Sequence, residues 1–356
     1  MTFDWLSAPI GRHNNFGLIR IFAAYQVLLF HASYHLKFQL PWVIDRFAGL
    51  LPGVPAFFFI SGLLVTASLA TRGDLWQYAK QRVRRIVPGL WLAVVASIIL
   101  LAVFGRLDHD VLSNWRFPAW LASQFFFVEV FHPSFFRSFG VGVVNGSLWT
   151  IPVEMGFYVI LPVLCVIASH ASLPRQALSR LFVAGGIVSF AFAIAPIDRD
   201  DMLIKILDAT PVEHFHLFAL GGLAYLHYAR LKAIVIGRFW PLFAAFIAMA
   251  FMLSGLSEQW SGPTIQVLLV IPVFAFAVGT KPLSAPWGWD ISYGTYLFHM
   301  LIVNALVELD VLGAVGFAAA TVAVTLVALA SWAFWEKPWL RGERKKIARS
   351  AQIQIR

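Results

Sequence analysis

The sequence predicts an all-α, polytopic integral membrane protein with about ten transmembrane helices and one short re-entrant or interfacial segment. Three observations predict this. Of the 356 residues, 60% are apolar and 13% charged, and the mean hydropathy of +0.76 lies far from a water-soluble average. Apolar stretches near the length that crosses a bilayer recur from end to end. The basic residues form short clusters between those stretches, as cytoplasmic loops do, so the net charge of +9 reads as topology and not as a nucleic-acid footprint. No polar segment is long enough to fold alone, and residues 1–356 therefore read as one membrane-embedded domain.

The polar N-terminus, residues 1–15, lacks a small-residue cleavage site before the first apolar run, so the first helix is expected to persist in the mature protein. The expected spans are Phe16 to Leu36, Val54 to Ala70, Ile86 to Phe104, Leu148 to Ala168, Leu181 to Ile197, Glu213 to Tyr228, Phe239 to Gly255, Ile265 to Thr280, Ile291 to Val307 and Leu312 to Trp335. A cytoplasmic N-terminus puts Arg72 with Lys80 to Arg85, then Arg175 and Arg180, then Arg230, Lys232 and Arg238, and finally the basic tail of residues 337–356 inside. The acidic loops Asp108 to Asp110, Asp198 to Asp201 and Glu308 to Asp310 then fall outside. Ala119 to Phe131 is too short to span, and its Glu129 and His132 read as headgroup-level residues or as facing an outer cavity. Cys165, the single cysteine, rules out an intrachain disulfide or thiolate cluster and reads as a small apolar side chain.

Several polar residues within the spans need a reason. Arg20 and His31 are eleven residues apart, about 16 Å of helical rise and within roughly 20° of one face. Ionisable groups in a span are costly and usually face a cavity or a partner, which suggests a polar track along the first helix. Arg20 alone reads equally as a snorkelling residue, and His31 equally as a packing histidine. A neutral imidazole, with an unperturbed pKa of about 6.5, can take a proton from a hydroxyl near neutral pH. No Gly-x-Ser-x-Gly elbow offers a serine nucleophile. Arg82 and Arg85, in the loop expected before the third span, suit phosphate groups of a nucleotide-bearing molecule, although positive-inside charge alone predicts them. Ser61 and Gly62 permit close helix packing or approach by a ligand. Trp149 enters the fourth span at interface depth, and Glu154, about a turn below, either pairs structurally, orients His31 or binds hydroxyls. Tyr293 and His299, in the ninth span, are site or structural candidates. Glu336 reads as a helix-end residue pairing with the basic tail.

Taken together, Arg20 with His31, Phe58 to Gly62, Arg82 with Arg85, Ser147-Leu148-Trp149 through Glu154, Phe157, Tyr158 and Pro162, and Ile291 to His299 resemble, in order, the motifs of the acyltransferase-3 family of integral membrane acyltransferases. The resemblance runs from Asn14 to Arg341. It implies acyl-coenzyme A, most often acetyl-coenzyme A, as donor and a carbohydrate or lipid-linked glycan hydroxyl outside the membrane as acceptor. It further implies His31 as base and shifts Arg82 and Arg85 towards the donor. The mechanism expected from these residues has Glu154 orienting His31 or the acceptor and Arg20 holding the donor or stabilising charge along the track, with no metal. Bacterial inner membrane, with both termini cytoplasmic, is the implied location. Gly17, Pro55 and Met155 depart from the family pattern, which has acidic residues at those places, and point to a divergent acceptor site. A transporter or flippase of a glycan or amphiphile is the alternative on span number alone, but no internal repeat or pair of broken helices supports it.

Overall fold

The computed structural model describes residues 3–6, 14–72, 74–128, 131–197, 202–283 and 290–340. Glu129, Asp198 to Asp201 and the tail from Arg341 onward lie outside the described residues. Those described are helical with no strand. The helices are α1 (Phe16–His35), α2 (Trp42–Leu50), α3 (Gly53–Arg72), α4 (Leu75–Val103), α5 (His109–Ser113), α6 (Arg116–Phe125), α7 (Thr150–Ser169), α8 (Pro174–Ala193), α9 (Met202–Asp208), α10 (Pro211–Leu226), α11 (Tyr228–Val235), α12 (Phe239–Leu253), α13 (Glu258–Gly279), α14 (Ser292–Glu308) and α15 (Gly313–Ala330), the last continuing through a π-helical turn, Ser331–Glu336.

Seven helical segments among these are long and apolar enough to cross a bilayer, and α11 with α12, bent by 88° at their junction, make an eighth if counted as one span. At 16 and 17 residues, α10 and α14 rise only about 24–26 Å, less than a hydrocarbon core of about 30 Å. The expected count of ten is therefore not reached on length. Exposed apolar stripes support a lipid-facing surface. Trp91, Val95, Ile99 and Val103 follow one another at four-residue steps along α4, as do Val159, Val163 and Ile167 along α7, all exposed.

Two boundaries differ from expectation. The segment Lys80 to Arg85 is not a loop: α4 begins at Leu75, eleven residues before the expected span, and carries the basic cluster on its first turns. Gln, Lys and Arg are good helix formers, and no Gly or Pro interrupts the run before Pro88, so polarity ends the apolar span without ending the helix. Likewise α8 starts at Pro174, a residue suited to a first helical turn, and takes up Arg175 and Arg180. The short apolar segment expected at Ala119 to Phe131 overlaps α6, a helix of ten residues with Trp120 and Gln124 buried, too short to cross.

The chain forms two compact units interleaved in sequence. The first comprises Met1–Val27, Leu40–Tyr78 and Trp149–Gly288, the second Leu28–Gln39, Ala79–Leu148 and Trp289–Arg356. Within the first, α10 is buried on nearly every side and packs on α3, α8, α7 and α13. Backbones approach closely there because Gly62 lies on the Phe218 carbonyl and Gly221 on that of Phe59, places where a Cβ would overlap. Asn15, 1% exposed, ties the start of α1 to the end of α13. Its amide donates to Thr280 Oγ1 at 2.8 Å and the Lys281 carbonyl at 3.1 Å and accepts from the Leu283 N–H at 2.7 Å. Cys165 is buried in α7, as its apolar reading predicts.

Within the second unit, α14 is enclosed from Ser292 through Leu301 except at half-buried Tyr293 and packs on α15, with Gly294 against Ala328. Asn304 and Glu308 fasten the loop before α7. Asn304 Oδ1 accepts from the Val141 N–H at 2.8 Å, and its Nδ2 donates to the Val143 and Val144 carbonyls, both at 2.9 Å. Glu308 accepts from Gly140 N–H and pairs with Arg106, both at 2.7 Å. Asn145 donates to the Leu297 carbonyl at 3.0 Å and accepts from Ser147 Oγ at 2.6 Å.

Candidate active site

Two polar clusters lie along α14 in the second unit. The first is built from α1 and α14. His31 and His35, one turn apart at the end of α1, have nearly parallel rings with centroids 5.8 Å apart. The ring of His299 lies 5.3 Å from that of His31, tilted by 37°. His299 is fully buried, and its Nδ1 sits 2.7 Å from the Tyr296 carbonyl. A carbonyl can only accept, so that nitrogen carries the proton, and in a neutral ring Nε2 is left as a bare acceptor. This Nε2 is buried with no hydrogen-bond partner among the described residues, as is the hydroxyl of Thr295 one turn earlier.

The second cluster gathers on the basic turns of α4. Arg82 and Arg85 are three residues apart and share a face of the helix. Arg85 pairs with Asp290 at 2.9 Å and lies over the Tyr293 ring, 5.5 Å from its centroid. Tyr293 in turn donates its hydroxyl to the Ile86 carbonyl at 2.8 Å. Gly89, one turn beyond Arg85, leaves room for that ring, since a Cβ there would run into it. Glu336 closes the π-helical turn, 3% exposed, accepting from Ser331 Oγ at 2.9 Å and close enough to Arg85 and Asp290 to interact with both charges. Its other oxygen is buried with no hydrogen-bond partner among the described residues. The helix-end reading of Glu336 is thereby corrected: the π turn rotates its carboxylate inward, and such turns frequently mark functional sites.

The remaining candidates stand in the first unit. Glu154 accepts a short hydrogen bond from the Tyr158 hydroxyl one turn on. Trp149 lies 5.5 Å from the His214 ring, which also lies 5.1 Å from that of Phe58. Ser61 Oγ is buried without a hydrogen-bond partner among the described residues, and Arg20 is half-buried on α1. The structure thus brings His31 to His299 and Arg85 to Tyr293, and assigns Tyr158 as the partner of Glu154. Sequence reasoning passed over His35, His214 and Asp290. Of these only His35 carried a local signal, four residues after His31 on the same helix face. No group of three or more potential metal ligands forms among the described residues.

A family model described as an acyltransferase domain matches residues 13–336. This chain belongs to that family, the acyltransferase-3 family of membrane proteins, and is an acyltransferase. Nodulation protein 10 of Rhizobium leguminosarum is 29% identical over 96% of this chain and 97% of its own length. A peptidoglycan O-acetyltransferase of Listeria monocytogenes is 29% identical over 44% of this chain, and an O-acetyltransferase of Staphylococcus aureus 25% identical over 46%. The matched region spans about a quarter of each of those two longer proteins, 25% and 26%. No solved structure matches.

Proposed function

We propose that this protein transfers an acyl group, acetyl first among the candidates, from acyl-coenzyme A to a hydroxyl of an extracytoplasmic carbohydrate or lipid-linked glycan. One observation carries the reading: a half-buried histidine, His31, lies against the enclosed imidazole of His299 within the unit that also holds the basic face of Arg82 and Arg85. The acetyl preference and the glycan acceptor draw support from the names of the relatives in Listeria and Staphylococcus.

In the proposed step the neutral imidazole of His31 takes the proton of the acceptor hydroxyl as its oxygen attacks the thioester carbonyl carbon. The tetrahedral intermediate collapses with loss of the C–S bond. The departing coenzyme A thiolate then takes the proton from His31, which returns the base to its starting form. Arg82 and Arg85 hold the donor phosphates, Arg20 contributes a further cationic contact to the donor, and Glu154 with Tyr158 binds acceptor hydroxyls. Ser61 and Trp149 are assigned to packing, and Tyr293 to fixing Arg85. With the basic turns of α4 and α8 inside, both termini are cytoplasmic, the membrane is the bacterial inner membrane, and residues 1–356 act as one membrane-embedded acyltransferase domain.

The test is transfer of radiolabelled acetyl from acetyl-coenzyme A to envelope glycan in membrane vesicles, comparing wild type with His31→Ala at matched protein levels. Label that disappears in His31→Ala is expected. Label at the wild-type level in that variant would remove His31 as base, and none from any acyl-coenzyme A in wild type would move the reading to a transporter.

A further inference from the structure

We infer that His299 is a positioning residue for His31: its bare Nε2, joined through one bridging water to an imidazole N–H of His31, decides which His31 nitrogen is left to take the acceptor proton. The inference rests on the reading of His31 as the base. It begins with a buried group whose state is fixed by its neighbours. The Tyr296 carbonyl claims the single ring proton of neutral His299 at Nδ1, so only a donor can satisfy Nε2. Full burial removes bulk water as that donor. Doubly protonated His299 is disfavoured, because it would place a charge in an enclosed site beside another imidazole.

The ring beside it is that of His31, with centroids 5.3 Å apart. Nε2 makes no direct hydrogen bond to it, so one bridging water, donating to Nε2 and accepting the His31 N–H, joins the two rings. Thr295, fully buried one turn before His299 with its hydroxyl unpartnered among the described residues, makes the α14 face polar enough to hold one. His31 thereby donates from one nitrogen and keeps its lone pair on the other. His31 alone is free to exist in two tautomers, of which one presents a proton where the acceptor hydroxyl needs a base. Proton uptake during transfer leaves the water bridge from His31 to His299 in place and strengthens it, since the donor becomes cationic. His35, parallel to His31 at 5.8 Å, supplies no equally enclosed acceptor, because it is only half-buried.

The experiment compares His299→Gln with His299→Asn in vesicles fed radiolabelled acetyl-coenzyme A, reading initial rate against donor concentration at matched levels of folded protein. Gln places an amide oxygen near the position of Nε2, whereas Asn reaches only as far as Nδ1. Retention of activity within about tenfold in Gln, against a loss of about 100-fold in Asn at unchanged KM for acetyl-coenzyme A, is expected, in line with the worth of a placed general base. Equal losses in both variants, or near-wild-type rate in Asn, would overturn the inference while His31→Ala still reports on the base itself. A measurement on the unaltered protein guards against misfolding of the variants. Nitrogen-15 spectra of histidine-labelled wild type should show one tautomer at His31 and an unprotonated, hydrogen-bonded Nε2 at His299, and an even tautomer mixture at His31 would reject the assignment.

Discussion

Replacing Asn304 with leucine tests whether the loop before α7 is held by side-chain chemistry or by shape. The residue is fully buried, and leucine has the same branching and number of side-chain heavy atoms, so the shape of the site is largely kept. Its three hydrogen bonds, to Val141, Val143 and Val144, are all lost. A buried backbone group left unpaired costs about 1–3 kcal/mol. Val144 is buried at 3% exposure and bears that cost in full, whereas Val141 and Val143 are half-buried and regain part of it from water. The sum is about 3 kcal/mol, which for a chain of this size is a fall of about 4 °C in unfolding midpoint. Asn304→Asp is the control, since it keeps the shape and the Val141 contact but turns an oxygen towards two carbonyls, and it should lose at least as much. The assay is thermal unfolding of purified protein in detergent, followed by tryptophan fluorescence. A shift under 1 °C for Asn304→Leu would refute the claim that these bonds hold the loop.

Further expectations follow from single contacts. Gly62→Ala places a Cβ on the Phe218 carbonyl, a backbone atom that cannot swing aside, so α3 and α10 separate at a cost of about 1–3 kcal/mol, read as a lower unfolding midpoint. An unchanged midpoint would mean that the crossing is looser than described. Glu308 lies just beyond the expected ninth span. Burial raises its pKa, but the hydrogen bonds from Arg106 and Gly140 and the Arg106 charge outweigh this and hold it below the ordinary 4.5. A depressed pKa stabilises the fold above the unfolded value and ceases to do so as pH falls through the folded one. The midpoint difference between wild type and Glu308→Gln should therefore be constant above pH 4.5 and shrink below it; a difference independent of pH would contradict this. For Arg82→Ala, a KM for acetyl-coenzyme A raised about tenfold at similar kcat is expected of a donor contact, and an unchanged KM would leave Arg82 as a topology residue.

Much of this architecture was legible because a bilayer imposes length and hydropathy together. All ten expected spans correspond to helices, although α10, α12 and α14 are shorter than a full crossing. What polarity could not reveal was where a helix runs on past the membrane, and so the basic turns of α4 read as a loop. For the site, Arg20 and His31 were visible through their shared helix face, and small residues near Gly62 through their size. Contacts between distant segments were not visible. Nothing near His31 in sequence names His299 as its neighbour, and nothing near Arg85 names Asp290 or Glu336, because those meetings depend on tertiary packing of α1, α4 and the π turn with α14. Glu336 was misread for a related reason: beside Lys337 and a basic tail it looks solvent-facing, and only the π turn carries it inward.

The two clusters share one rigid element. Tyr293 and His299 are six residues apart on α14, about 9 Å along its axis, and each is fixed by a backbone carbonyl, that of Ile86 for Tyr293 and that of Tyr296 for His299. Because α14 is enclosed along this stretch, it cannot shift one residue without the other. Close-packed helices move as units rather than deforming. Any displacement of Tyr293 caused by occupancy of the Arg85 face would therefore be carried along α14 to the imidazole beside His31. This gives a physical reason for the Ile291 to His299 segment to act as one unit: its residues grip the basic helix at one end and lie against His31 at the other, and the spacing between those contacts is set by the pitch of a single helix.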